Sequence, residues 1–273
     1  MPPKTDILVT VFGAGGFLGR YVTQSLLKTG VRVRAAERDP RRAFYLKPLG
    51  PLGQFQAGRA DITDKAAVAA AVQGADAVIN LVGILKGKFQ QVHVEGARHV
   101  AEAAAAAAVS SLVHISAIGA DPNFINRFAR MARLLPILPV LRPNWKLQPV
   151  HAADLGKAIA LAALDPGTHA GKTYELGGPN VMTMAELNRW ICETTGRHRA
   201  IAELPDALGK LLPRLTGWAP GAPVTWDQWL MMRKDSVTAG PGFEAFGLHP
   251  APLAAVAPAW LVPFRKHGRF AKA

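Results

Sequence analysis

Apolar residues in the first half of the chain fall into short runs separated by glycine, proline and charged positions. Asp6-Ile-Leu-Val-Thr-Val-Phe12 predicts a first strand, and the alternating Val31-Arg-Val-Arg-Ala-Ala36 a second. Gly53-Gln-Phe-Gln-Ala57, Ala75-Asp-Ala-Val-Ile-Asn-Leu-Val82 and Ser111-Leu-Val-His-Ile-Ser116 supply three more. Between them, Arg20–Leu27 and the alanine-rich stretches 64–73 and 89–108 have helical composition. Alternation of this kind predicts an α/β fold: a Rossmann-like, doubly wound parallel sheet covered by helices on both faces.

The turn between the first strand and first helix reads Gly13-Ala-Gly15-Gly16-Phe17-Leu18-Gly19. Gly13 suits a tight turn, Gly16 lets backbone N–H groups approach a pyrophosphate, and Gly19 lets the helix pack close to the strand. The helix N-terminus then offers unpaired N–H groups and partial positive charge to phosphates. Asp61-Ile62 after the third strand is placed to meet an adenine, and Asn80-Leu81-Val82-Gly83 after the fourth to line the nicotinamide-side ribose. The second strand ends in Glu37-Arg38-Asp-Pro-Arg41-Arg42. Glu37 suits the ribose hydroxyls of NAD, whereas the guanidinium forks of Arg38, Arg41 and Arg42 suit a 2′-phosphate, so NADP(H) is favoured and NAD(H) stays possible.

The second half is less regular. Asp154 is placed to cap a helix over 155–164, and Thr183 with Glu186 forms a capping-box pattern opening a helix over 184–194. Residues 204–233 are proline-punctuated amphipathic segments carrying Trp218, Trp226, Trp229, Met231 and Met232, which suit either core or a docking surface. The expected division is a nucleotide-binding domain over 1–178 and a smaller, mainly helical lobe over 179–273.

Composition narrows the class. With 273 residues and 49% hydrophobic content the chain can bury a substantial core. Cys192 is the single cysteine, so no internal disulfide or cysteine metal cluster can form, and a reducing compartment is expected. No histidine spacing suggests a metal site. No apolar stretch is long enough to span a membrane, and Met1-Pro-Pro-Lys-Thr leads directly into the first strand, leaving no room for a leader. The net charge of +13 is spread over both halves, which argues against nucleic acid as partner. Local basic features are Arg127/Arg130/Arg133 beside Leu134–Leu141 and the tail Arg265–Lys272, which suit an anionic membrane surface, an acidic partner or a solvated face.

Val9–Val22 with the glycine turn, Leu46–Phe55, Val78–Gly83, Val92–Arg98 and Leu112–Ser116 together resemble a family. So do Asn123–Ala129, Gln148–Asp154, Tyr174–Pro179 and Trp260–Arg265. It is the atypical short-chain dehydrogenase/reductase serving as NADPH-binding accessory subunit of respiratory complex I. The resemblance implies tight, largely structural NADPH binding, complex I subunits as partners, and a peripheral position facing the bacterial cytoplasm or mitochondrial matrix. The cofactor-binding set is then Gly13, Gly15, Gly16, Phe17, Leu18, Gly19, Arg38, Arg42, Asp61, Ile62, Leu81, Val82, Gly83 and Ser116.

One departure bears on chemistry. Active short-chain reductases use Ser, Tyr and a Lys four residues beyond the Tyr. Ser116 stands where the serine belongs, but Tyr21, Tyr45 and Tyr174 are followed at that spacing by Ser25, Leu49 and Gly178. About 35 residues of the family layout, carrying the Tyr/Lys helix and a strand, are missing after Asp121-Pro122 by that comparison. Ser116 is therefore at most a vestigial catalytic residue, and it suits a local backbone hydrogen bond equally well. Without the missing segment the sheet should end at the fifth strand and the nicotinamide end should be more open; whether Val140-Leu-Arg-Pro143 fills the edge is left open by the sequence. The expectation is a non-catalytic subunit, the alternatives being an NADP-dependent reductase or epimerase and a nucleotide-sensing regulator.

Overall fold

The computed structural model describes residues 6–84, 87–116, 124–205, 210–211, 214, 226–240, 242–266 and 268. The five expected strands are present as β1 (Leu8–Phe12), β2 (Arg32–Glu37), β3 (Phe55–Arg59), β4 (Ala77–Asn80) and β5 (Ser111–His114). All pair in parallel in the order β3-β2-β1-β4-β5. The third strand lies two residues later than the sequence suggested, because the φ of Gly53 is +84° and belongs to the turn before it. Among the described residues β5 is paired only with β4, so the sheet ends there as expected. Val140 does not extend it: it lies in β6 (Ile137–Leu141), which pairs with β9 (Ala200–Leu204) in a separate sheet.

Both faces of the five-stranded sheet are covered. Val9 and Val11 point to one face and pack with Val22 and Leu26 of α1 (Phe17–Lys28) and Ile159 of α5 (Ala152–Leu164). Phe12 and Val78 point to the other, against Val68 and Val72 of α2 (Lys65–Val72) and Val100 of α3 (Ala97–Ala106). This is the period-two burial a strand produces when covered on both sides. α3 is preceded by a π-helical stretch, Gln90–Gly96, so the expected helix 89–108 forms with a local change of pitch. α1 and α5 touch backbone to side chain at Gly156, where a Cβ would lie 2.7 Å from the Tyr21 carbonyl carbon and 2.8 Å from its oxygen. Gly156→Val should destabilise the protein by about 1–3 kcal/mol through overpacking. Thermal unfolding would register this as a midpoint lower by roughly 2–10 °C.

The chain separates into two compact units, and neither is contiguous. The first comprises 1–116, 152–174 and 243–248; the second 117–151, 175–242 and 249–273. This replaces the single cut at 178/179 suggested by the sequence. The physical reason is that α5 belongs with the parallel sheet, while 117–151 contributes α4 (Phe124–Leu134), β6 and β7 (Lys146–Leu147) to the second core.

That second core gathers Phe128, Val140, Leu187, Ile191, Trp229, Met232 and Leu261. It is helical with two small sheets, β6 with β9 and β7 with β8 (Met182–Thr183). The Thr183–Glu186 capping box forms at the start of α7 (Met184–Thr194): the Glu186 N–H donates to Thr183 Oγ1 at 3.2 Å, and the Thr183 N–H donates to Glu186 Oε2 at 2.7 Å. These bonds hold the Glu186 carboxyl below its ordinary value. Asp154, in contrast, sits inside the first turn of α5 rather than ahead of it, where it pairs with Lys157 at 3.1 Å. Trp229 and Met232 are core residues, whereas Met231 is exposed; Trp218 and the tail beyond Gly268 lie outside the described residues.

Candidate functional site

Chain order along the sheet reverses between β1 and β4, so the loops leaving the C-terminal ends of these two strands diverge and open a crevice. The glycine turn occupies its first wall. Gly13 adopts φ +82°, a left-handed conformation that favours glycine, and its α-carbon faces the backbone of Leu81 and Val82 leaving β4. A Cβ on Gly19 would overlap the Gly13 and Ala14 carbonyl oxygens, so only glycine lets α1 start against the turn. A Cβ on Gly15 would come within 2.7 Å of the Arg42 carbonyl oxygen. The three glycines thus bring the α1 N-terminus, the β4 loop and the 3₁₀ stretch Pro40–Leu49 together. Gly16 is the α1 N-cap and lends no side-chain cap, which leaves the first N–H groups of the helix directed outward for an anion. Phe17 is exposed there, Leu18 half-buried.

At the end of β2, Glu37 turns its carboxylate back to accept the Gly15 N–H at 2.5 Å. Burial raises its pKa, against the lowering pull of the Gly15 bond and then of Arg42 and Arg38. A folded-state pKa above the ordinary carboxylate value means that stability is lost as pH rises through the raised value. Glu37→Gln should abolish that part of the pH dependence, checked by thermal unfolding between pH 4 and 7. Arg41 is committed to Asp39, its Nε 2.9 Å from Oδ1, whereas Arg38 and Arg42 are exposed and both act on Glu37. Tyr45, not singled out from the sequence, donates from its hydroxyl to the Gly15 carbonyl at 3.4 Å.

The other sequence candidates are placed unevenly. Asp61 Oδ1 accepts from the Thr63 N–H and hydroxyl, at 2.9 and 2.8 Å, and Ile62 is buried beneath Gly96. Val82 N–H donates to Asn80 Oδ1 at 3.1 Å, and Asn80 Nδ2 lies 3.2 Å from His114 Nδ1. Burial, then the nearby His93, lower the pKa of His114, leaving it a neutral partner for the buried Asn80. Gly83 lies 3.6 Å from His93 measured from an added Cβ, and the His93 ring bonds to Ile84 backbone groups. Ser116 is exposed two residues beyond β5. The Asn80–His114 pair was legible only as an asparagine following a buried strand. Among the described residues no group of three or more His, Cys, Asp or Glu is placed to hold a metal ion.

Comparison with known proteins agrees with this geometry. A family described as NAD(P)H-binding matches residues 13–146. The chain resembles the E. coli NADPH-dependent quinone oxidoreductase solved with NADPH at a TM-score of 0.70 and 21% identity, over 93% of this chain and 99% of that one, which shows the fold. It is 28% identical to the mitochondrial NADH-ubiquinone oxidoreductase 40 kDa subunit of Neurospora crassa, over 96% of this chain and 80% of the relative. That alignment runs over 309 positions, more than the 273 of this chain, so the relative carries residues that this chain lacks. It is 30% identical to the rat NADH dehydrogenase (ubiquinone) 1 alpha subcomplex subunit 9, over 91% of this chain and 78% of the relative. The chain belongs to this family of NAD(P)H-binding proteins with an atypical short-chain dehydrogenase/reductase fold.

Proposed function

We propose that this chain is an NADPH-binding, non-catalytic accessory subunit of respiratory complex I, peripheral to the membrane on the side facing the bacterial cytoplasm or mitochondrial matrix. The observation that carries the proposal is similarity to complex I subunits along nine-tenths of the chain, combined with an intact glycine turn at the sheet's switch point. No helix among the described residues is long and apolar enough to cross a membrane, which suits a peripheral position. Lack of a Tyr with Lys four residues later supports a cofactor held for structure rather than turnover. NADP is favoured over NAD because Arg38 and Arg42 stand exposed beside Glu37 at the end of β2, and a guanidinium fork matches a phosphate.

Two measurements test this reading. Gentle purification from native membranes should bring the chain down with NADH:ubiquinone oxidoreductase activity; recovery only as a free protein would overturn it. Denaturing the purified protein should release NADP(H) in stoichiometric amount. In Arg38→Ala/Arg42→Ala the content should fall about 10- to 100-fold, the loss of charged hydrogen bonds worth ~1.5–3 kcal/mol. The reductase alternative draws on the 25% identity to E. coli quinone oxidoreductase 2 over 73% of this chain. Steady NADPH consumption with a carbonyl or quinone, abolished in Ser116→Ala, would establish it instead.

A further inference from the structure

A second concave site lies in the second unit, away from the glycine turn in sequence and in kind. It is a cleft of about 370 Å³ where α7 ends and β9 begins, lined by Arg189, Cys192, Glu193, Arg197, His198 and Arg199. Its arginines are anchored from behind by neutral groups. Arg197 donates from Nε to the Phe264 carbonyl at 2.9 Å and from Nη2 to the Arg265 carbonyl at 3.4 Å. Arg199 donates from Nε to the Ala132 carbonyl at 2.9 Å. Each guanidinium keeps further N–H groups beyond these bonds, held in position by a rigid backbone partner. Among the described residues only Arg189 of these is paired with a carboxylate, Glu203 at 3.1 Å.

Charge at this place is one-sided. Arg133 acts on Arg197 from the end of α4. Glu193 and Glu203 are the carboxylates facing them. The carbonyl of Ala132 lies in the last turn of α4, whose C-terminal partial negative charge compensates part of the excess. Burial and the neighbouring Arg199 and Arg133 all disfavour the charge on Arg197, as crowded cations should. Ile137, 54% exposed, pairs with Ala200 of the cleft's lining, and Leu134, 69% exposed, ends the helix that carries Ala132.

We infer that this cleft binds a phosphate group, gripped by the outward edges of Arg197 and Arg199 with His198 at the entrance. The ligand class is a phosphate ester, either soluble or the headgroup of an anionic phospholipid whose chains would lie along Leu134 and Ile137. Guanidinium planes fixed in place suit phosphate better than mobile lysines. The inference is independent of the cofactor reading.

The test uses the full-length protein with two probes: inorganic pyrophosphate by calorimetry, and phosphatidylglycerol/phosphatidylcholine vesicles by co-sedimentation, with pure phosphatidylcholine as reference. Arg199→Gln and the exposed His198→Glu should each weaken binding about tenfold, while Glu193→Gln, which removes a facing carboxylate, should tighten it several-fold. The gain in Glu193→Gln cannot arise from misfolding. Response with pyrophosphate identifies a soluble ligand, and response with vesicles alone identifies a lipid headgroup; either supports the site. Binding indifferent to all three substitutions, as expected for anions held at the glycine turn, or no binding of either probe, would overturn it.

Discussion

Gly19→Ala is expected to strip the protein of its nucleotide. The added Cβ overlaps the Gly13 and Ala14 carbonyl oxygens and lies 2.6 Å from the Ala14 carbonyl carbon, all backbone atoms that cannot rotate aside. α1 must back away from the end of β1, and the N–H groups of its first turn leave the position from which they face a pyrophosphate. The dissociation constant for NADP(H) should rise at least tenfold, a change of about 1.4 kcal/mol in binding, and the nucleotide retained through purification should fall with it. The unfolding midpoint should fall by roughly 2–10 °C, as for other overpacked sites. Gly16→Ala is the internal comparison for stability: its Cβ meets only the Gly13 carbonyl, at 3.1 Å, so its unfolding midpoint should fall distinctly less. Retention of full nucleotide content by Gly19→Ala would place the cofactor elsewhere.

Gly178→Ala should unfold the second unit first. Its Cβ would overlap the Pro149 carbonyl oxygen, and the neighbouring Gln148 ties the same region together. Gln148 donates to the Gly178 carbonyl at 2.7 Å and accepts from the Thr238 N–H and hydroxyl, each at 3.0 Å. Displacing the 177–178 backbone therefore breaks the Gln148–Gly178 bond and disturbs the side chain that also holds Thr238. Among the described residues the tryptophans at 145, 190, 226, 229 and 260 belong to the second unit, and the tyrosines at 21, 45 and 174 to the first. Tryptophan emission should shift to the red at a lower temperature or denaturant concentration than in the unsubstituted protein. Coincident, unchanged transitions for both fluorophores would contradict this account of the Gly177-Gly178 pair.

The parallel sheet was legible because each βα step is local: β1, the glycine turn and α1 are contiguous, and period-two burial is written directly into Val9, Val11 and Phe12. The capping box at Thr183 was legible for the same reason, since all its partners lie within three residues. What sequence did not reveal depends on distant partners. β6 looks like a spare strand for the sheet edge until Ala200–Leu204, some sixty residues on, is seen beside it. The bonds from the Thr63 N–H and hydroxyl to Asp61 Oδ1 were likewise not read from the sequence. Glu37 was weighed for its charge, but its grip on the Gly15 N–H depends on how two loops meet.

The interleaving of the two units sets a timetable for synthesis. The last strand of the parallel sheet is complete at His114, yet α5 ends only at Leu164 and the closing segment of that unit is 243–248. At ~5–20 residues per second, the ribosome needs on the order of ten seconds to supply the missing pieces. Until α5 has been made, about 50 residues after His114 and so roughly 3–10 seconds later, the face of the sheet it covers lacks that helix, and exposed apolar surface of this kind favours aggregation. A stop codon placed after residue 178 would release the sheet without its final segment, so the two halves of this protein should be expressed together rather than as separate pieces.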